Sequence, residues 1–269
     1  MFNRKEVAIK LKEYYENSDD YLVRLNSKEI IKPYLFMINK FLPNKRIKVL
    51  EIGCGSGIST KFIKNMKPKN FLVAVDISKK FIEYAKDNYN HKDIIFKQDD
   101  VMKLSFRENS FDYILMYNVI EHVPYPQKAL DEVSRVIKKG GCVLIMSPNH
   151  LSPITPLLDF LSLKKRPPFS KTWFGNIPLF FSNLHISIKK LICRNIKFIL
   201  IKPILDDYIQ TGGDSDAVYK SCQIDLIKFF KKNNFKILNV AYSGTGFSKI
   251  IGKLLPYFAG GFCVIVRKN

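Results

Sequence analysis

Several features that would classify a chain at sight are missing from these 269 residues. Five cysteines (Cys54, Cys142, Cys193, Cys222, Cys263) show no CxxC and no paired spacing. That argues against a disulfide scaffold or a zinc site and fits a reducing cytosol. The start, MFNRKEVAIK, has no apolar signal core. The longest charge-free run, between Lys171 and Lys189, is interrupted by Gly175, Asn176, Pro178, Asn183 and His185, and does not read as a membrane span. No repeat or low-complexity tract stands out. Acidic side chains are scarce, 24 against 44 Lys and Arg, for a net charge of +20.

The distribution of that charge limits its meaning. Residues 1–48 hold 11 basic and 6 acidic side chains, 49–150 hold 15 and 12, 151–220 hold 10 and 5, and 221–269 hold 8 and 1. The excess is spread, mostly as lysine, in a chain also rich in Ile and Asn. Solvated lysines from an A/T-rich coding bias are one account, an anionic membrane surface or substrate a second, and nucleic acid the least favoured third.

What is present is a core and a rhythm. At 46% hydrophobic residues the chain can bury one large α/β domain. Helical spacing runs over 5–16 and 27–42, the second broken at Pro33. IKVLEI (47–52) is an apolar run entering a glycine loop, as a buried parallel strand does. Helix TKFIKNM, strand FLVAVD (71–76), helix KKFIEYAKDNY capped by Ser78, strand DIIFKQ (93–98) and strand FDYILMYN (111–118) follow. PQKALDEVSRVIKKGG reads as a helix closed by its Gly pair, and CVLIMSP as a fifth strand. This alternation predicts a doubly wound, mostly parallel α/β sheet with ligands at the C-terminal strand ends. After Pro148 the rhythm stops until helix QIDLIKFFKKNNF and strands KILNVAY and FCVIVRK. Expected divisions are an N-terminal helical cover (1–46), a core (47–148), a partly helical insertion acting as a substrate lid (149–220), and a C-terminal part of the core (221–269).

VLEIGCGSG (49–57) carries the strongest chemical signal. Gly53, Gly55 and Gly57 let backbone approach a ligand and open a helix N-terminus beside it. A dinucleotide fingerprint wants Gly or Ala where Ile58 stands, and Glu51 would repel a pyrophosphate but welcome a cation. Any strand-to-helix turn can be glycine-rich, so the context matters. Asp76 ends the second strand about 20 residues on, where a carboxylate accepts ribose hydroxyls; alone, it could equally cap a helix. Asp100, after FKQD, can accept from an adenine amino group.

Taken together, these stretches resemble the class I S-adenosylmethionine-dependent methyltransferases, in particular the ubiquinone/menaquinone-methyltransferase-like (type 11) group. VLEIGCGSG looks like the first family motif, VAVDIS the second and FKQDDVMKLSFRENSFD the third. LMYNVIEHV is similar to the fourth and LDEVSRVIKKGGCVLIMSPN to the fifth. The resemblance implies a seven-stranded Rossmann-like sheet of order 3-2-1-4-5-7-6 with strand seven antiparallel, and S-adenosylmethionine as cofactor. It implies that Glu51, Gly53, Cys54, Gly55 and Gly57 hold the methionine part, that Asp76 with Ile77 binds ribose, that Asp100 and Val101 bind adenine, and that Asn118 lies beside them. Asp99 departs from the family, which usually has glycine there; solvent is the expected surrounding of its carboxylate.

In NVIEHV, His122 is a candidate general base with Glu121 orienting it. Two alternatives stay open, a structural pair bonded to nearby backbone, or a metal site, for which Asn118 replaces the first acid of the ExxEH pattern. Neither an Asn/Asp-Pro-Pro-Tyr/Phe motif nor a Pro-Cys nucleophile follows strand four, which disfavours nucleobase methylation. In the insertion, KKRPPFSKTWFGNIPLFF and HISIKKLICRNIKFILIKPIL combine aromatic and basic residues, the latter as a basic amphipathic helix. They suit either a lid's own core or peripheral contact with the inner face of a membrane through 164–205. Trp173, Asp214, Asp216 and Tyr219 are candidate acceptor contacts, although a turn with a helix cap also accounts for Asp214. The expected activity is O-methylation of a small, lipid-like or glycan acceptor. The alternatives are an RNA ribose or tRNA methyltransferase and a non-catalytic cofactor-binding partner protein.

Overall fold

The computed structural model describes residues 2–19, 22, 28–161, 176–205, 215–243 and 254–269. Among them, one sheet contains β1 (Lys48–Ile52), β2 (Phe71–Asp76), β3 (Ile94–Gln98), β4 (Phe111–Tyr117), β5 (Ile137–Pro148), β6 (Phe235–Ser243) and β7 (Gly261–Lys268). The order is β3-β2-β1-β4-β5-β7-β6. The first five strands pair in parallel, and β7 runs antiparallel to both β5 and β6. The doubly wound, seven-stranded arrangement is the one expected.

Helices α1 (Arg4–Asn17), α2 (Lys28–Phe41), α3 (Ile58–Met66), α4 (Lys79–Asn88) and α5 (Pro126–Val136) precede the insertion. Its described parts include α6 (Ile154–Leu161) and α7 (Asn176–Ile192), and α8 (Gln223–Lys232) returns to the sheet. Strand alternation divides the core. Leu50, Ile52, Val73, Ile114, Val143 and Val264 face Leu130 and Val133 of α5 and Phe229 and Phe230 of α8. Val49, Leu72, Leu115, Leu144 and Ile265 face Tyr34 and Ile38 of α2 and Ile63 of α3. Each such side chain, fully buried, is worth about 1.5–3 kcal/mol.

Three boundaries differ from expectation. α2 passes Pro33 unbroken: the ring removes one bond near the helix start, and burial of Ile31, Tyr34 and Ile38 outweighs that loss. α5 stops at Val136, and Lys138–Gly141 bulge out of β5 between the pairs Phe111↔Ile137 and Tyr113↔Cys142, with Gly140 at φ 74°. The Gly pair therefore serves a strand bulge, not a helix end. The basic helix expected to run on past residue 192 ends there, and Leu200 instead bridges to Tyr219.

Candidate functional site

A cavity of about 190 Å³ lies at the C-terminal ends of β1, β2 and β4 and is covered by α1. The glycine loop forms its floor. Gly53 takes φ 71°, and a Cβ there would lie 2.1 Å from Val119 Cγ2, so only glycine fits between the exits of β1 and β4. Gly53, Cys54 and Gly55 line the cavity; Gly57 does not. At φ 83°, Gly57 lets α3 pack on α4, where a Cβ would stand 2.7 Å from that of Ala85. Burial pushes the Cys54 thiol well above its usual range, which leaves it an uncharged wall.

Asp76 and Ile77 line the cavity at the end of β2. Gly55 N–H donates to Asp76 Oδ2 at 2.8 Å and Ser78 N–H to Oδ1 at 3.0 Å. The carboxylate lines the cavity and keeps capacity to accept from a hydroxyl donor there. Burial pushes the Asp76 carboxyl above the ordinary range, against the Ser78, Gly55 and Ile77 amides that favour the charge. Asp100 and Val101 form the next wall with Phe81 and Met102. Asp100 Oδ1 accepts from Met102 N–H at 2.8 Å, so a tight turn presents the segment.

Asp99 is a correction. Its side chain is mostly buried and binds Ser105, accepting from the amide at 3.2 Å. The turn after β3 needs that carboxylate as a staple, where solvent was expected.

Glu51 does not line the cavity. It is buried beneath the loop, where Thr60 Oγ1 donates to it at 2.6 Å and Tyr34 Oη at 3.4 Å. Burial raises its carboxyl above the usual range, opposed by the Thr60, Ser59 and Tyr34 hydroxyls. Tyr34 in turn stacks on Tyr117 at 4.7 Å, and Tyr117 reaches the cavity. Asn118 lines it at φ 50°, a left-handed conformation that Asn tolerates, with its N–H on Met146 O at 2.9 Å.

The exit of β4 places His122 on the wall and Glu121 behind it, fully buried. The carboxylate nearest the imidazole is Asp216, with Oδ2 3.2 Å from His122 Nδ1; Glu121 Oε1 is 3.9 Å from Nε2. Glu121 accepts from Ser147 Oγ at 3.1 Å, and its carbonyl accepts from the amides of Val218 at 2.8 Å and Tyr219 at 2.9 Å. It thereby ties the return of the insertion to the end of β4, and Asp216, not Glu121, is the carboxylate nearer the ring. Tyr15 of α1 completes the cluster, donating to Asp216 Oδ2 at 2.8 Å.

Tyr219 is not an acceptor contact. It is fully buried and packs edge-on to Phe198. Its hydroxyl donates to Asp225 at 2.9 Å, and Asp225 pairs with Lys190 at 2.6 Å. An inward ion pair captured this ring. Trp173 and Asp214 lie outside the described residues. No sequence motif marks the α1 face, Ala8, Leu11, Lys12 and Tyr15, all of which line the cavity. Their i, i+3, i+4, i+7 spacing was the available signal.

Within a chain of net charge +20, this cavity is acidic. Asp76, Asp99, Asp100 and Asp216 line it, against Lys12 alone among the lining lysines and arginines. Such a site suits a cationic ligand bearing a diol and repels a pyrophosphate. Among the described residues, no group of three or more His, Cys, Asp or Glu could hold a metal ion.

Residues 50–145 match the family described as a methyltransferase domain. An uncharacterised protein of Methanocaldococcus jannaschii is 33% identical over 129 residues, 48% of this chain and 57% of that protein. A demethylmenaquinone methyltransferase of Staphylococcus aureus is 32% identical over 104 residues, 38% of this chain and 43% of its own length. The chain thus spans about half the length of these relatives. The crystal structure of a SAM-dependent methyltransferase from Aquifex aeolicus superposes with TM-score 0.55 at 15% identity, covering 93% of this chain and 97% of that one.

Proposed function

We propose that the chain, whose residues 50–145 match a methyltransferase domain, is a class I S-adenosylmethionine-dependent enzyme that methylates an oxygen of a small, lipid-like or glycan acceptor. The observation that carries this reading is the acidic, diol-ready cavity at the glycine loop. When bound, the cofactor supplies a methyl group already activated by its sulfonium charge. The chain has three tasks. Asp76 would hold the ribose hydroxyls, Asp100 and the Val101 backbone the adenine, and the Gly53–Gly55 backbone the methionine part.

α1 excludes water, with Leu11 and Tyr15 against the cavity. Holding the reactants aligned in such a space is worth about 7–11 kcal/mol in intramolecular analogues. His122 takes the acceptor's proton. The carboxylates of Asp216 and Glu121, at 3.2 and 3.9 Å from the two ring nitrogens, then stabilise the charge on the ring. The four lining aspartates favour a small or uncharged acceptor over RNA, whose phosphates they would repel.

Labelled-methyl transfer into cell extract, fractionated into lipid, small-molecule, nucleic-acid and protein pools, tests the proposal. Label is expected in the lipid or small-molecule pool and lost in Asp76→Ala. Tight cofactor binding without any transfer would overturn it in favour of a non-catalytic partner protein.

A further inference from the structure

Helix α7 is inside out. Its inward residues are polar: Asn183 Nδ2 donates to Ser152 O at 3.1 Å and Ser187 Oγ to Leu151 O at 2.9 Å. Lys190 Nζ binds both oxygens of Asp225, at 2.7 and 2.6 Å. Lys228 Nζ fastens the end of the helix through the carbonyls of Lys190 and Cys193. Its exposed residues include Ile177, Phe181, Ile188 and Ile192, in a row of helical spacing, beside the polar Ser182, His185 and Lys189. Phe181 is 61% and Ile192 77% exposed. The helix packs on α6 and on the turn Pro256–Phe258, beside which Leu254 and Leu255 are exposed as well. A helix anchored by hydrogen bonds through its polar face, with an apolar row turned out, is built for a covering other than water.

Charge identifies the covering. From residue 160 to 205 the sequence has no Asp or Glu and nine Lys or Arg. Lys189 within the helix, and Arg194 and Lys197 just after its end, are exposed. A second copy of the chain would set this acid-free stretch against its own likeness, which like-charge repulsion opposes. No helix among the described residues is long and apolar enough to cross a membrane.

We propose that the outward face of α7 docks the protein on an anionic lipid bilayer. Phe181, Ile188 and Ile192 enter the headgroup boundary, and Lys189, Arg194 and Lys197 meet the anionic headgroups. Because α7 is anchored to Leu151 and Ser152, just beyond the end of β5, it is fixed at the same end of the sheet as the cavity.

The test is binding of the full chain to phosphatidylcholine vesicles with and without phosphatidylglycerol, by cosedimentation and by the emission of Trp173. This is the single tryptophan of the chain and lies three residues before α7. Binding is expected only with phosphatidylglycerol, weakening with salt and shifting the emission to the blue. Phe181→Ser with Ile192→Ser should reduce partition by about tenfold or more, and Arg194→Gln by about fivefold. Both variants should keep the wild-type circular dichroism and cofactor affinity. The proposal is overturned by absence of binding, by equal binding to neutral vesicles, or by partition unchanged in both variants. It is also overturned by a dimer that the double variant abolishes in a protein indifferent to vesicles. None of these readouts depends on methyl transfer, so failure here leaves the proposed activity standing.

Discussion

The two sides of the cavity are made differently. On the glycine-loop side the partners are backbone amides close in sequence: Gly55 reaches Asp76 across 21 residues and Ser78 reaches it across two. On the His122 side the partners are side chains from three distant stretches, with Tyr15 reaching Asp216 across 201 residues. One side is the consequence of a strand, a turn and the next strand. The other exists only when α1, the β4 exit and the end of the insertion have all arrived. Such construction lets the His122 side change residue by residue while the loop side stays bound to its backbone.

Asp76→Ala should have the largest effect. Two hydrogen bonds to a charged group, each worth about 1.5–3 kcal/mol, would be lost, weakening cofactor binding by about 10²–10⁴ in calorimetry. An unchanged affinity would break the comparison at its firmer side. Gly53→Ala comes next. A left-handed residue with a Cβ costs about 1–2 kcal/mol and overpacking about 1–3. Urea unfolding should show their sum, and adding Val119→Ala should return only the overpacking part, since Val119 Cγ2 is the atom met at 2.1 Å.

Asp216→Asn tests the long-range side. A drop in kcat of about tenfold to a hundredfold, a part of the 10²–10⁴ that a positioned base contributes, is expected with cofactor affinity unchanged. Tyr15→Phe removes one neutral donor, about 1 kcal/mol, and should lower kcat by about fivefold. Equal losses of cofactor affinity in either variant would show that the two sides are not separable.

The smallest effect is in pH. Asp76 and Glu51 have carboxyls raised above the ordinary range, chiefly by burial. The folded state therefore holds their protons more tightly than the unfolded chain. Their contribution to stability is present below the ordinary carboxylate pKa and is lost as pH rises through the raised folded values. Cofactor affinity should run the other way, rising as Asp76 ionises. Asp76→Asn should flatten the Asp76 share of both curves, measured by thermal unfolding and by calorimetry.

The same contrast explains what could be read in advance. The β1 loop, the Asp76 position and the strand order were legible because hydrophobic runs, glycines and a family pattern lie together in one stretch. Gly140 and Gly141 misled because a helix end and a strand bulge both require such residues. Tyr219 misled because its partner Asp225 is fixed by Lys190, which sits on a helix 29 residues upstream of the tyrosine in a different part of the chain. Tyr15 was missed because a helical face shows that it is covered, not by what. The inverted polarity of α7 was equally hidden: the sequence has an amphipathic helix, and only its contacts tell which side turns inward.

The order of the last two strands has a consequence for how the protein is made. β7 lies between β5 and β6, yet it is synthesised after both. β6 can therefore join nothing in the sheet until the ribosome has delivered the strand that follows it, and β5 carries an open edge for the whole time the insertion is being translated. Deleting β7 would orphan β6 and unseal β5 in one stroke, so this late segment closes the sheet much as a keystone closes an arch.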